Sequence, residues 1–255
     1  MTFSPKHLRY GPDGVPILSA KQVEEVATEV LRKHCPSVLK QPAMTPVIEL
    51  IHTLSKTTSL SHAVEDLGYH GHAKILGKVS FTKKALLLDI SLTVDRKVQM
   101  RFTAGHEVGH WILHRWNYMN WTFGTHKSGA GELEDDEKSL CRLEERTPQD
   151  WLEWQANVFA ASLVMPRATF QVALVETQKI LGISKNLGTI WLSDNDPSHR
   201  DFQLVGNRLA NIYAVSLTSI RVRLNTLKLL HDESARTTRS AHQLFASGES
   251  LPPRP

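Results

Sequence analysis

The segment Gly105-His106-Glu107-Val108-Gly109-His110 places two histidines four residues apart, with a glutamate directly after the first. On a helix this spacing rotates the two imidazoles by only about 40° and separates them by about 6 Å along the axis. Both rings can then converge on one ion at the ~2.0–2.1 Å of a zinc–nitrogen bond. Glu107, one position further round, leans to the side of that ion and reaches a water rather than the metal, as a general base must. With 13 histidines and 26 acidic residues in 255 positions, accident supplies roughly 0.06 such matches even when every acid is counted as glutamate. The competing reading is a pair of surface histidines on an amphipathic helix.

A catalytic zinc ordinarily takes a third protein ligand and keeps a position for water. His114 lies four residues beyond His110 on the same helix, about 12 Å along the axis from His106, too far to share an ion with both. It is read as a packing residue or as support for a ligand from behind. The pattern also departs from H-E-x-x-H-x-x-G-x-x-H, in which a glycine breaks the helix before a third histidine. The third ligand is therefore expected from another helix. Glu153 is the favoured candidate, with Trp154, Val158 and Ala161 available to pack its helix inward; Glu144 and Glu145 compete from less rigid chain upstream. Asn157, one turn past Glu153, is placed to hydrogen-bond a ligand or to hold the helix. Tyr118 and His126, in the loop after the motif, are alternative donors to a tetrahedral oxyanion, and spacing does not separate them.

These residues need elements to hold them. Ser19 and Gln22 form a capping box for a helix from Ala20 to His34, with Val23, Val26, Ala27, Val30 and Leu31 at helical spacing. Thr45-Pro46 opens a second helix with proline at its first position. Lys74–Phe81 and Ala85–Ile90 read as short strands joined by a Lys-rich turn. A long helix is expected from an Asp95 cap through His114, then a loop from Tyr118 to Glu145. Thr147, Pro148 and Asp150 mark the start of the next helix, which Pro166 ends; Arg167 to Leu181 forms another. Gly182 to Arg200 reads as loop. Phe202–Tyr213 and Leu217–Leu230, joined by Ala214-Val215-Ser216, have a helix-turn-helix pattern. The polar stretch from Asp232 to Pro255 is expected to be disordered. The fold class is thus α+β, mostly helical with a small sheet.

Composition is that of an ordinary globular protein, 41% hydrophobic and 22% charged, with a formal charge of +4. That charge does not by itself imply nucleic acid. No stretch approaches the ~20 apolar residues of a membrane span. The N-terminus lacks the apolar core of a signal peptide, and Cys35 and Cys141 cannot build a disulfide framework, so the expected compartment is the cytoplasm. The acidic run Glu132, Glu134, Asp135, Asp136, Glu137 is read as a solvated loop.

Two segments carry a family resemblance. Phe102-Thr-Ala-Gly-His-Glu-Val-Gly-His-Trp-Ile-Leu-His114 together with Glu153-Trp-Gln-Ala-Asn-Val-Phe-Ala-Ala-Ser-Leu-Val-Met-Pro166 resembles the ImmA/IrrE family of zincin-like metallo-endopeptidases. The resemblance implies that Glu153 is the third metal ligand. Arg208 to Leu224 is similar to the helix-turn-helix region that comes after the motif in that family. Residues 1–181 are then expected to form the peptidase domain, 182–201 a linker, 202–231 the helix-turn-helix-like segment and 232–255 a tail. The implied activity is that of a bacterial or phage cytoplasmic protease, zinc-dependent with manganese or Fe(II) as alternatives, that cleaves a helix-turn-helix repressor and so releases transcription. The Gly182–Arg200 insert is longer than the resemblance implies.

Weaker signals complete the reading. Lys74–Phe81 can offer a strand edge to an extended substrate, or serve as an ordinary core hairpin. Arg221, Arg223 and Lys228 are candidates for phosphate contacts, although no base-reading constellation accompanies them. Cys141, beside several acids that disfavour its thiolate, is a poor metal ligand. The tryptophans Trp111, Trp151 and Trp154 are read as core and cleft lining. The rival function is a catalytically inactive regulator that binds a repressor or DNA, against which the intact His106, Glu107, His110 and Glu153 argue.

Overall fold

Ser19 and Gln22 close the reciprocal cap expected of them: the Gln22 N–H donates to Ser19 Oγ at 3.3 Å and the Ser19 N–H to Gln22 Oε1 at 2.9 Å. Helix α1, Ala20–His34, buries Val23, Val26, Ala27 and Leu31 on one face. The computed structural model describes residues 9–11, 14–94, 96–115, 122–125, 147–193 and 196–233. Helix α2, Val47–Thr58, begins one residue later than its sequence signal, because Pro46 sits at the cap (φ −80°, ψ 74°) rather than inside the helix. Ser59, at φ 55°, turns the chain out of it.

The chain then forms strands β1 (Ser61–Glu65), β2 (Tyr69–His70), β3 (Ala73–Lys74), β4 (Gly77–Ser80) and β5 (Ala85–Asp89). The expected strand from Lys74 to Phe81 is therefore two pieces. β3 pairs with β2 in a small antiparallel ribbon, while β4 and β5 form a hairpin. β1 runs parallel to β5, with Ser61 opposite Ala85 and Glu65 opposite Asp89. Its Ser-His-Ala-Val-Glu sequence is exposed throughout and has no apolar alternation to reveal it. Strand β6, Thr122–Thr125, pairs antiparallel with β4 inside the stretch expected to be loop, giving the order β1-β5-β4-β6. β4 thus has a partner on each side. Its edge is not open to a substrate, which leaves the core-hairpin alternative for this part of Lys74–Phe81.

Asp89 ties the end of β5 to the loop after β1 and to the turn beyond β5 itself. It is fully buried, accepts from the N–H groups of Leu67 (2.8 Å) and Ser91 (2.9 Å), and lies 3.2 Å from Lys74 Nζ. Burial alone would raise its pKa, but the Ser91 and Leu67 hydrogen bonds and Lys74 outweigh that and bring it to about 2. A carboxyl whose folded pKa lies below its ordinary 3.8 contributes stability that is complete above about pH 4 and fades as pH falls toward 2. Asp89→Ala should cost about 2–4 kcal/mol at neutral pH, since two backbone donors lose their acceptor. In urea melts its deficit relative to wild type should shrink between about pH 4 and 2; a constant deficit refutes the assignment.

Helix α3, Lys97–His114, starts from Arg96 without a side-chain cap, while the expected Asp95 cap lies outside the described residues. Helix α4, Pro148–Val164, has the expected Thr147–Asp150 capping box and ends at Met165. Helix α5, Arg167–Ile180, stops where Gly182, at φ 71°, allows Ile183 N–H to reach back to Gln178 O. The Gly182–Arg200 stretch is not all loop. It holds strand β7, Ile190–Leu192, and the start of helix α6, Asp196–Tyr213. Helix α7, Leu217–Thr226, ends four residues earlier than the apolar pattern predicts. Lys228 takes φ 58°, Leu229 N–H bonds to Leu224 O, and the chain enters strand β8, Leu230–Asp232, parallel to β7. This is a Schellman ending with lysine at the left-handed position, where glycine would have announced it.

Buried apolar residues from Val15 to Leu230 form one contiguous cluster, to which α6 and α7 contribute Leu209, Tyr213, Ile220 and Leu224. Arg223 is also buried. It donates to Met165 O at 3.0 Å and pairs with Glu24 of α1 at 2.5 Å, so it is not a phosphate contact. Arg221 pairs with Asp232 at 3.0 Å, and Lys228 is exposed. Among the described residues no single helix is long and apolar enough to cross a membrane.

Candidate metal centre

Every residue of α3 from Thr103 to His114 is buried. A helix enclosed on all sides is ordinarily apolar, yet this one carries three histidines and a glutamate. Buried polar groups on that scale must be paired or put to use. Packing against α4 supplies much of the pairing. Gly109 permits the approach, because a Cβ there would stand 3.1 Å from Phe159 Cδ1 and 3.2 Å from the Ala156 backbone. One turn before Ala156, Glu153 is thereby brought over the histidines.

His106 Nε2 lies 3.0 Å from His110 Nε2 and 3.1 Å from Glu153 Oε2, and His110 Nε2 lies 3.4 Å from Glu153 Oε1. A tetrahedral ion with bonds of ~2.05 Å separates its donors by about 3.3 Å, so the three side chains fit a zinc-sized ion. They are the one group of three such ligands gathered among the described residues. Glu153, the favoured candidate on spacing, is the carboxylate that the geometry brings to the two histidines. Glu144 and Glu145 lie outside the described residues.

The cluster is electrostatically matched. Burial would raise the Glu153 carboxyl, but the charges and hydrogen bonds of His110 and His106 hold it well below the usual carboxylate range. Burial would lower His106, but Glu153, Glu107 and Asn157 hold it above its ordinary value. Burial, reinforced by His110, keeps His114 well below its own and therefore neutral.

Each of the three side chains has a further partner. His106 Nδ1 is 2.9 Å from Asn157 Oδ1, the first of the two roles open to Asn157. His110 Nδ1 is 2.9 Å from His114 Nδ1, so of the two roles open to His114, packing or support from behind, the contact fits the second. Gln149 Nε2 donates to Glu153 Oε1 at 2.9 Å. His114 Nε2 is 3.0 Å from Gln155 Oε1. Nothing in their spacing marks Gln149 or Gln155, since each is one more polar residue on a helix until α4 meets α3. Trp111 is core and stacks on Phe81. Trp151 and Trp154 meet edge to face. Tyr118, His126 and Cys141 lie outside the described residues.

Glu107 faces the sheet. An added Cβ on Gly77 of β4 would come within 2.7 Å of Glu107 Oε1 and 2.6 Å of Thr103 Cγ2. Glycine lets the strand backbone lie against the carboxylate without displacing it, another residue that spacing does not reveal. Gly77→Ala should keep metal but lower peptide cleavage about 100-fold, the scale of a ~1 Å displacement of a catalytic group. Unchanged cleavage would show that Glu107 has room to spare.

Two imidazoles and a carboxylate converging from two packed helices beside a small sheet, with a glutamate between the histidines, define a zincin-like fold with a metallopeptidase-type site. The family model of the M78 peptidases, described as the IrrE N-terminal-like domain, matches residues 86–225. That is more than half of the chain, and the chain belongs to this family. No curated protein matches it.

Proposed function

We propose that the protein is a zinc-dependent endopeptidase that cleaves a DNA-binding repressor and so releases transcription. The observation that carries the hydrolytic part is the convergence of His106, His110 and Glu153 within 4.8 Å of one another, with Glu107 buried in the turn between the histidines. The substrate class rests on the ImmA/IrrE resemblance. When bound, a divalent ion supplies Lewis acidity, making water more acidic and a carbonyl carbon more electrophilic. Zinc is the default for two imidazoles and a carboxylate, and manganese or Fe(II) suit the same donors.

The side chains do the rest. Glu153 contributes the negative charge that a cation needs in a buried site, and Asn157 and His114 keep the imidazoles oriented. Glu107 takes the proton of the attacking water and returns it to the leaving amine nitrogen. Gly77 keeps the strand close without displacing that carboxylate. The helix-turn-helix-like pair α6–α7 serves as a docking face for the repressor rather than as a DNA reader, since Arg223 is committed to Glu24. The cytoplasm is the compartment in which such a substrate is met.

The test is co-expression with a repressor encoded beside the gene, followed by intact mass. The repressor should be cut once by wild type and left whole by Glu107→Gln. A repressor that stays intact but co-purifies with both forms would favour the inactive-regulator reading instead.

A further inference from the structure

We infer that His114, Gln155 and the main-chain carbonyl of Pro16 form a directional hydrogen-bond relay that sets the tautomer of His110 and so prepares its Nε2 for the metal. The inference rests on the metal-site reading and extends the centre into the segment ahead of α1, outside the 86–225 family match.

The two Nδ1 atoms of His110 and His114 face each other at 2.9 Å. One hydrogen must lie between them, so one ring donates and the other accepts. His110 Nε2 stands among the ligand atoms, 3.0 Å from His106 Nε2, and needs its lone pair there. Its hydrogen is therefore on Nδ1. His114 Nδ1 must then accept, which leaves the single His114 hydrogen on Nε2. That nitrogen is 3.0 Å from Gln155 Oε1, an acceptor. The Gln155 amide nitrogen completes the chain by donating to Pro16 O at 2.7 Å.

The opposite end of the chain dictates the same direction. A main-chain carbonyl can only accept, so Pro16 O fixes which end of the Gln155 amide is nitrogen. The amide oxygen then faces His114 and demands a hydrogen on Nε2, which leaves His114 Nδ1 as the acceptor that His110 requires. His110, His114 and Gln155 are all at most 1% exposed, so water does not substitute for any partner. The Pro16 end is itself anchored. Tyr10 and Pro16 form a bridge, Ile17 N–H bonds to Arg9 O, and Val15 and Leu18 are buried in the core on either side. None of the three residues reaches the reacting atoms; they are positioning residues. A ligating imidazole held by such a partner loses about 10- to 100-fold in metal affinity when the partner is removed.

The experiment measures zinc affinity of the full chain by competition with a chromophoric chelator, and histidine tautomers of the zinc-loaded protein by nitrogen NMR. Wild type should carry hydrogen on His110 Nδ1 and His114 Nε2. His114→Phe should bind zinc about 10- to 100-fold more weakly, and Gln155→Met about 10-fold more weakly. His114→Gln, whose amide oxygen can still accept from His110, should recover part of the loss. Zinc affinities within about twofold of wild type in both His114→Phe and Gln155→Met would overturn the relay. So would a His114 hydrogen found on Nδ1. If a variant fails to fold, as circular dichroism would reveal, the wild-type tautomers decide alone. Wild type that binds no zinc would bring down the metal-site reading and the relay with it, whereas tight wild-type binding with indifferent variants would remove the relay only.

Discussion

Glu107→Gln should lower peptide cleavage by about 100- to 10,000-fold while leaving bound metal at the wild-type level. The substitution keeps size and shape, which matters for a side chain that is fully buried. It removes the negative charge, and with it the capacity to take up a proton. The ligand atoms belong to His106, His110 and Glu153, so their convergence survives. Cleavage of the co-expressed repressor, timed by mass spectrometry, and metal content by elemental analysis read the two halves separately. Full cleavage would move the base elsewhere. Loss of metal together with cleavage would make Glu107 part of the scaffold of the site. Glu153→Ala supplies the contrast, because it should lose metal first and cleavage as a consequence.

Glu24→Ala should destabilise the fold by about 3–5 kcal/mol, the usual cost of leaving one partner of a buried ion pair uncompensated. Arg223 is 2% exposed and pairs with Glu24 at 2.5 Å; Arg167, nearer the surface, reaches the same carboxylate at 2.6 Å. Without Glu24 the buried guanidinium keeps, among the described residues, Met165 O and a longer contact to Ser162 Oγ. The reverse substitution is milder. Arg223→Met fills the space with apolar atoms and leaves Glu24 to Arg167, at about 1–2 kcal/mol. Equilibrium urea unfolding measures the difference. Equal costs for the two substitutions would show that lost packing, rather than a stranded charge, dominates. Since α1 also packs against α4, which carries Glu153, Glu24→Ala should release metal at lower urea than wild type.

Local chemistry made part of this molecule legible from its sequence. The H-E-x-x-H spacing singled out two of the three side chains that converge, because four residues on a helix fix which side chains share a face. Helix geometry excluded His114 as a ligand and left it a supporting role, which the 2.9 Å contact with His110 fits. Capping boxes at Ser19 and Thr147 marked two helix starts, since their partners lie three residues away. Pro166 and Gly182 marked helix ends for equally local reasons.

Features that depend on distant chain emerge only on folding. β1 and β6 owe their strand conformation to neighbours, β1 through a parallel pairing that its own exposed sequence does not announce and β6 through β4. Pairing on both sides closes the edge that the pattern of Lys74–Phe81 offers on its own. Arg223 reads as a surface cation until Glu24, far away in sequence, buries it. Gln155, Gly77 and Pro16 are ordinary residues until α3, α4, the sheet and the N-terminal segment meet. The side chains able to hold a metal and move a proton are readable without a fold, because those requirements are met within a helical turn and a short motif. The meeting of the histidines with Glu153, the close fit of the strand against Glu107 and the hold of Gln155 and Pro16 behind His114 come from tertiary packing, because each is a contact between elements whose approach no local pattern encodes.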